Sequence, residues 1–114
     1  MEQTNNTFQP ATLLRVFIDE NEKLHGQPLY EAIIMKAREL ELAGATAIRG
    51  VFGFGVDHQI HTAKLLQLSQ DLPMVVEIVD TEENINKILP FINENIIDGM
   101  VTLETIKFMK CHHS

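Results

Sequence analysis

The residues best placed to do chemistry lie in one stretch, Gly44 to Pro73, GATAIRGVFGFGVDHQIHTAKLLQLSQDLP. Arg49, His58, His61 and Lys64 gather cationic and imidazole groups beside the Gly53-Phe54-Gly55 turn, and such a set suits a cleft for an anionic small ligand. The competing reading has His61 packing against the next segment and Lys64 simply solvated. A different chemistry uses the same imidazoles as metal ligands: His58 and His61 supply two donors, and Cys111, His112 and His113 supply a thiolate and two more, which suits zinc or copper. Neither spacing alone defines a tetrahedral site. The carboxylates Glu77, Asp80, Glu82 and Glu83 read as helix-dipole and capping groups. The chain carries no nucleophile elbow, no P-loop lysine and no His-Glu-x-x-His, and its glycines do not follow the dinucleotide fingerprint, so no catalytic residue is assigned and a non-enzyme is expected.

Composition narrows the partners. With 114 residues, 45% hydrophobic and 22% charged, the chain is expected to fold as one domain with a real core. A net charge of -7 disfavours nucleic acid and anionic membrane, which need a basic surface. A single cysteine rules out an internal disulfide, and no apolar run reaches membrane-spanning length. The polar start MEQTNNTFQP lacks the regions of a signal peptide, so the expected compartment is cytoplasmic. The domain is expected over residues 12–110, with 1–11 and 111–114 as flexible tails.

The elements that must position these groups follow from periodicity. Thr12 to Asp19 alternates Leu14, Val16 and Ile18 against Arg15, Phe17 and Asp19, a strand pattern. Pro28 opens a helix in which Leu29, Ile33, Ala37 and Leu40 recur at helical spacing, with Gly44 expected as its C-terminal cap. A second strand is expected from Ala45 to Val56, interrupted by Gly50, Gly53 and Gly55. Glycines are costly inside a strand, so each implies a bulge, a bend or a close approach. Met74 to Asp80 alternates again. Thr81 is a good N-cap for a second helix carrying Ile85, Ile88, Leu89 and Ile92, and Pro90 inside it costs roughly 3 kcal/mol, which predicts a kink or a break. A last strand is expected from Met100 to about Met109.

The order β-α-β-β-α-β specifies an α+β, ferredoxin-like fold: a four-stranded antiparallel sheet with two helices on one face. The opposite face is expected to expose Arg15, Phe17, Arg49, Val51, Val75, Glu77 and Val79. Such a mixed face is best covered by other copies of the chain around a closed symmetry axis, with Arg and Glu pairing across the interface.

Four blocks, ELAGATAIRGVFGFG (Glu41 to Gly55), IHTAKLLQLSQDLP (Ile60 to Pro73), EIVDTEE (Glu77 to Glu83) and GMVTLE (Gly99 to Glu104), resemble the PII-like family labelled domain of unknown function 190 over Leu13 to Met109. More distantly the chain is similar to PII signalling proteins. The resemblance implies a homotrimer with ligand clefts between subunits, at the base of the loop joining strands two and three. It also marks Gly53-Phe54-Gly55 as the base of that loop and Gly99 as the glycine before the last strand. Val56, Asp57, Met74 and Met100 stand where PII places groups that hold ATP phosphates, so the architecture is expected to persist with a different ligand or a different way of holding it, a nucleotide or another anion being the candidates. The implied role is regulatory: ligand binding orders the loop from about Val56 to Gln70 and changes how it meets a partner protein. The alternative is a metal-binding or metal-tolerance trimer similar to CutA.

Overall fold

The computed structural model describes residues 7–56, 58–62 and 72–111, with the backbone alone for His61 and Thr62. In chain order the elements are β1 (Gln9–Asp19), β2 (Lys23–Leu24), β3 (Gln27–Pro28), α1 (Leu29–Glu39), β4 (Gly44–Arg49), β5 (Phe52–Gly53), β6 (His61–Thr62), β7 (Pro73–Asp80), α2 (Glu82–Ile85), α3 (Leu89–Asn95) and β8 (Met100–Phe108). β4, β7, β1 and β8 form the antiparallel sheet in that order, and β2 with β3 and β5 with β6 form two separate two-stranded ladders. The ferredoxin-like arrangement expected from periodicity is the one observed.

Alternation decides which face is covered. Leu14, Val16 and Ile18 of β1 and Met74, Val76 and Ile78 of β7 are buried, and they share one core with Leu29, Ile33 and Ala37 of α1, Ile85 of α2 and Ile92 of α3. Burying each large aliphatic side chain contributes about 1.5–3 kcal/mol, so this face fixes the register of the strands. β1 starts at Gln9, not Thr12, because β8 is long enough to pair with it from Phe17↔Met100 to Gln9↔Phe108. Residues 9–11 therefore belong to the sheet rather than to a tail.

α1 stops earlier than the sequence suggests, and Gly44 is not its cap. Pro28 is the N-cap residue, the helix ends at Glu39, and Gly44 already pairs with Val79 in β4. The stop is a Schellman turn: the N–H of Leu42 donates to Ala37 O at 3.0 Å and that of Glu41 to Arg38 O at 2.9 Å. Glu41 takes the left-handed conformation at φ 60°, where a side chain is disfavoured by roughly 1–2 kcal/mol and glycine is not. Glycine loses more freedom on folding, which offsets part of that gain. Glu41→Gly is therefore expected to raise stability by about 0.5–1 kcal/mol, measured by urea denaturation.

The glycine-interrupted strand is also corrected. β4 ends at Arg49: the Gly50 N–H still donates across the ladder to Pro73 O at 2.8 Å, but Pro73 has no N–H to return the bond. A Cβ on Gly50 would sit 3.3 Å from Pro73 Cβ. The chain then leaves the sheet, and Phe52 and Gly53 pair with Thr62 and His61 instead. Pro90 does break the second helix in two, taking a place in the first turn of α3 where its missing N–H is harmless. Thr81 caps α2, its Oγ1 accepting the Asn84 N–H at 3.3 Å.

The register redraws the open face. Arg49 lies opposite Met74, on the helix side of the sheet, and Val51 lies outside β4. Thr46 and Ile48 take the open-face positions on that strand, opposite Glu77 and Val75. Arg15, directly opposite Glu77, bonds it at 2.9 Å and reaches Glu104 at 3.2 Å. The Arg and Glu groups expected to pair between copies thus pair within one chain, as cross-strand neighbours do. The Glu77 hydrogen bond, with the charges of Glu77 and Glu104, raises the Arg15 pKa against the opposing effect of burial.

Candidate functional site

A cleft of about 290 Å³ opens at one end of the sheet, where strand ends converge. The end of β1 contributes Phe17, Ile18 and Asp19, and the turn after it contributes Glu22. Pro73, Met74 and Val75 enter from the start of β7, and Asp98, Gly99 and Met100 from the start of β8. The fourth wall is Phe54, Gly55 and Val56, the segment that follows β5. The strand order alone brings these together, since β7 and β8 both begin beside the end of β1.

Two glycines on the walls have different causes. At Gly99 a Cβ would lie 2.7 Å from Phe17 O, 3.0 Å from Ile96 Cγ2 and 3.1 Å from Ile18 Cγ2, so the entry of β8 beside β1 requires glycine. At Gly55 a Cβ would meet no described residue within 4 Å, so nothing among the described residues requires that glycine.

Of the residues the sequence singles out, Phe54, Gly55 and Gly99 line the cleft. Gly53 stands beside it in β5, where a Cβ would be 3.5 Å from Pro73 Cγ. His58 is outside the walls: its ring lies 5.6 Å from that of Phe54 at a 32° tilt, and its N–H closes a turn onto Gly55 O at 2.9 Å. Arg49 does not line the cleft; its guanidinium is paired with Glu20, because the register sends it to the helix side. The His61 side chain, Lys64, His112 and His113 lie outside the described residues, as does the run Ala63 to Leu68. Cys111 is exposed. Among the described residues no group of three or more His, Cys, Asp or Glu side chains is gathered to hold a metal ion.

The sequence reading missed the carboxylates Asp19, Glu22 and Asp98, which line the cleft with no Lys, Arg or His among the described residues of its walls. Asp19 ends β1 and Glu22 sits in the turn after it, while Asp98 comes from the loop before β8, and the pairing of β8 with β1 brings it to them. Burial, followed by the charges of Asp19 and Asp98, raises the Glu22 pKa, while backbone hydrogen bonds from the same two residues oppose the rise. Its Oε1 is sealed from solvent and has no hydrogen-bond partner among the described residues. A raised carboxyl pKa means that the folded state holds the proton more tightly than the unfolded chain. Ionising Glu22 therefore costs stability as pH rises from the ordinary carboxylate range through its raised value. Glu22→Gln is expected to melt at a higher temperature than the parent at pH 7, with the difference vanishing below about pH 4, read by thermal melts across pH.

Comparison with known proteins places this geometry. Residues 11–108 match the DUF190 family, described as uncharacterized ACR. A UPF0166 protein of Aquifex aeolicus is 41% identical over 83% of this chain and 90% of its own length. The UPF0166 protein MJ1524 of Methanocaldococcus jannaschii is 35% identical over 90% of each. Among solved structures, CPII of Thiomonas intermedia, a nitrogen regulatory PII-like protein bound to ADP, AMP and bicarbonate, superposes with a TM-score of 0.65 at 17% identity, covering 93% of this chain and 94% of that one. TTHA0516 of Thermus thermophilus, named for its likeness to PII signaling proteins, gives 0.65 at 14% identity over 90% and 92% of the two chains. The fold is thus the PII-like one, and the chain belongs to the DUF190 family.

Proposed function

We propose that this chain is a PII-like regulator, acting by binding rather than catalysis. In this reading it is a cytoplasmic homotrimer in which the cleft lies at the boundary between subunits and takes a small ligand. The ligand then changes how the segment joining β5 to β7 meets a partner protein. The observation that carries the reading is the cleft itself, built from the Phe54-Gly55 turn and the Gly99 entry at the base of that segment. Gly55 supports it, because a glycine that no described residue demands is accounted for by the close approach of a ligand or a neighbouring subunit.

The surface around the cleft supports association. Val51, Phe52, Phe54, Val56 and Ile60 are each more than half exposed, and Ile48 and Met100 of the open sheet face are nearly so. An apolar patch of this extent marks an interaction site. Phe17, Val75 and Met100 belong to both the open face and the cleft, so copies packed on that face would reach the cleft. No helix among the described residues is long and apolar enough to cross a membrane. CPII, bound to ADP, AMP and bicarbonate, suggests the first ligands to screen.

The test is Gly55→Ala. With no described residue within 4 Å of the new Cβ, its stability is expected to stay within about 0.5 kcal/mol of the parent, while ligand affinity falls at least about tenfold or the trimer weakens. Unchanged affinity and unchanged assembly would sink the proposed site.

A further inference from the structure

Resting on that reading, we infer that the copies join edge to edge: β8 of one chain pairs antiparallel with β4 of the next, and the turn after that neighbouring β4 forms a further wall of the cleft. β4 and β8 are the outer strands of the sheet. An outer strand offers its unpaired N–H and C=O groups to another strand unless proline, a bulge or charge blunts it. Met100–Phe108 contains no proline and pairs with β1 without a break in register, and its first four residues, Met100 to Leu103, carry no charge. Ala45 to Ile48 of β4 carry none either. Because the four strands alternate in direction, β4 and β8 run opposite ways. Rotating one copy about an axis along the strands therefore sets its β4 antiparallel to β8 of the first, and a closed ring of copies leaves no free edge.

The side chains on the two edges are complementary in size. On the helix side of β8, Val101 and Leu103 are 42% and 56% exposed, because α2 is only four residues long and leaves a groove of about 310 Å³ lined by Ile85 and Leu103. On the same side β4 presents the small Ala45 and Ala47. Large groups of one edge thus fit over small ones of the other, as facing layers do in a packed core. The pairing also reaches the cleft. The end of β4 at Arg49 and the start of β8 at Met100 lie at one end of the sheet, so the ring carries the exposed Val51 and Phe52 of the neighbouring copy to Gly99 and Met100 on the cleft wall.

The experiment is disulfide cross-linking of the full chain in a Cys111→Ser background. Ala47→Cys is combined in turn with Val101→Cys, Leu103→Cys and Thr105→Cys, which sample the registers that keep both residues on the helix side. All four positions are exposed in one chain, so the substitutions should leave the fold intact. Within one chain the two edges are three strand spacings, roughly 14 Å, apart, beyond the roughly 7 Å that a disulfide spans between Cα atoms. Any bridge is therefore between copies. After mild oxidation, one of the three pairs should convert the monomer band on a non-reducing denaturing gel into linked dimers and trimers. Ala47→Cys with Thr102→Cys, whose second cysteine lies on the opposite face, should stay monomeric. If all three pairs stay monomeric while native mass spectrometry of the parent shows three chains, the edge pairing is overturned and the trimer reading stands. If the parent itself is a monomer, both fall.

Discussion

Replacing Asp80 with alanine is expected to destabilise the chain by about 3–4 kcal/mol, since hydrogen bonds to a charged group are worth about 1.5–3 kcal/mol each and their donors would be left unpaired. Asp80 is a buried charged residue at the end of β7, and three elements converge on its carboxylate. Oδ2 accepts the Ala43 N–H at 2.8 Å, from the turn between α1 and β4. Oδ1 accepts the Thr81 N–H at 2.6 Å and the Asn84 side-chain amide at 3.0 Å, which fixes the start of α2. Burial by itself would raise the Asp80 pKa, but the bonds from Asn84, Thr81 and Ala43, helped by the charge of Lys110, outweigh it and leave it lowered. A lowered carboxyl pKa contributes stability above the ordinary carboxylate value and loses it as pH falls through the lowered one. Urea denaturation of Asp80→Ala at pH 7 and at pH 3 should therefore show a smaller penalty in acid. Equal penalties at both pH values would mean that packing, not the charge, carries the effect. Glu22 moves in the opposite direction with pH, so the two variants provide internal controls for each other.

Gly99→Ala is expected to cost about 1–3 kcal/mol, the range for forcing a methyl into a packed site, and to lower the melting temperature by roughly 5–15 °C. The nearest obstacle is a backbone oxygen, Phe17 O at 2.7 Å, which cannot move without parting β8 from β1. Ile96 and Ile18 close the other sides. Thermal melts of Gly99→Ala beside Gly55→Ala separate the two glycines of the cleft. A Gly99→Ala protein as stable as its parent would show that β8 can shift outward at little cost, and the close approach would then not explain the glycine.

Gly99 also shows what the sequence could and could not convey. The resemblance to PII proteins pointed to this glycine as part of a ligand site, and it does line the cleft, yet its strict requirement comes from strand packing. Local signals were legible: alternation gave β1 and β7, Thr81 gave a cap, and Pro90 gave a break. Each depends on residues within a few positions of one another. The Schellman turn at Glu41 was hidden because a glutamate in the left-handed conformation carries no signature of its own, whereas Gly44 nearby imitates a cap. Arg49 was placed on the wrong face because the core-side positions of β4 before it are the small Ala45 and Ala47, opposite Ile78 and Val76, while the larger Ile48 lies on the open face, a pattern that inverts the usual reading of alternation. Asp98 could not be grouped with Asp19 and Glu22 without the strand order. The fold was therefore written in short-range pattern, and the character of the cleft in long-range convergence.

The most direct test of the proposed function is native mass spectrometry of the full chain, alone and with ADP or AMP, the nucleotides bound to CPII. The expected result is a species of three chains that takes up ligand, with assembly or uptake reduced by Gly55→Ala. A monomer that takes up the nucleotide would contradict it, because the cleft would then be complete within one subunit and the open sheet face would have no part in the site.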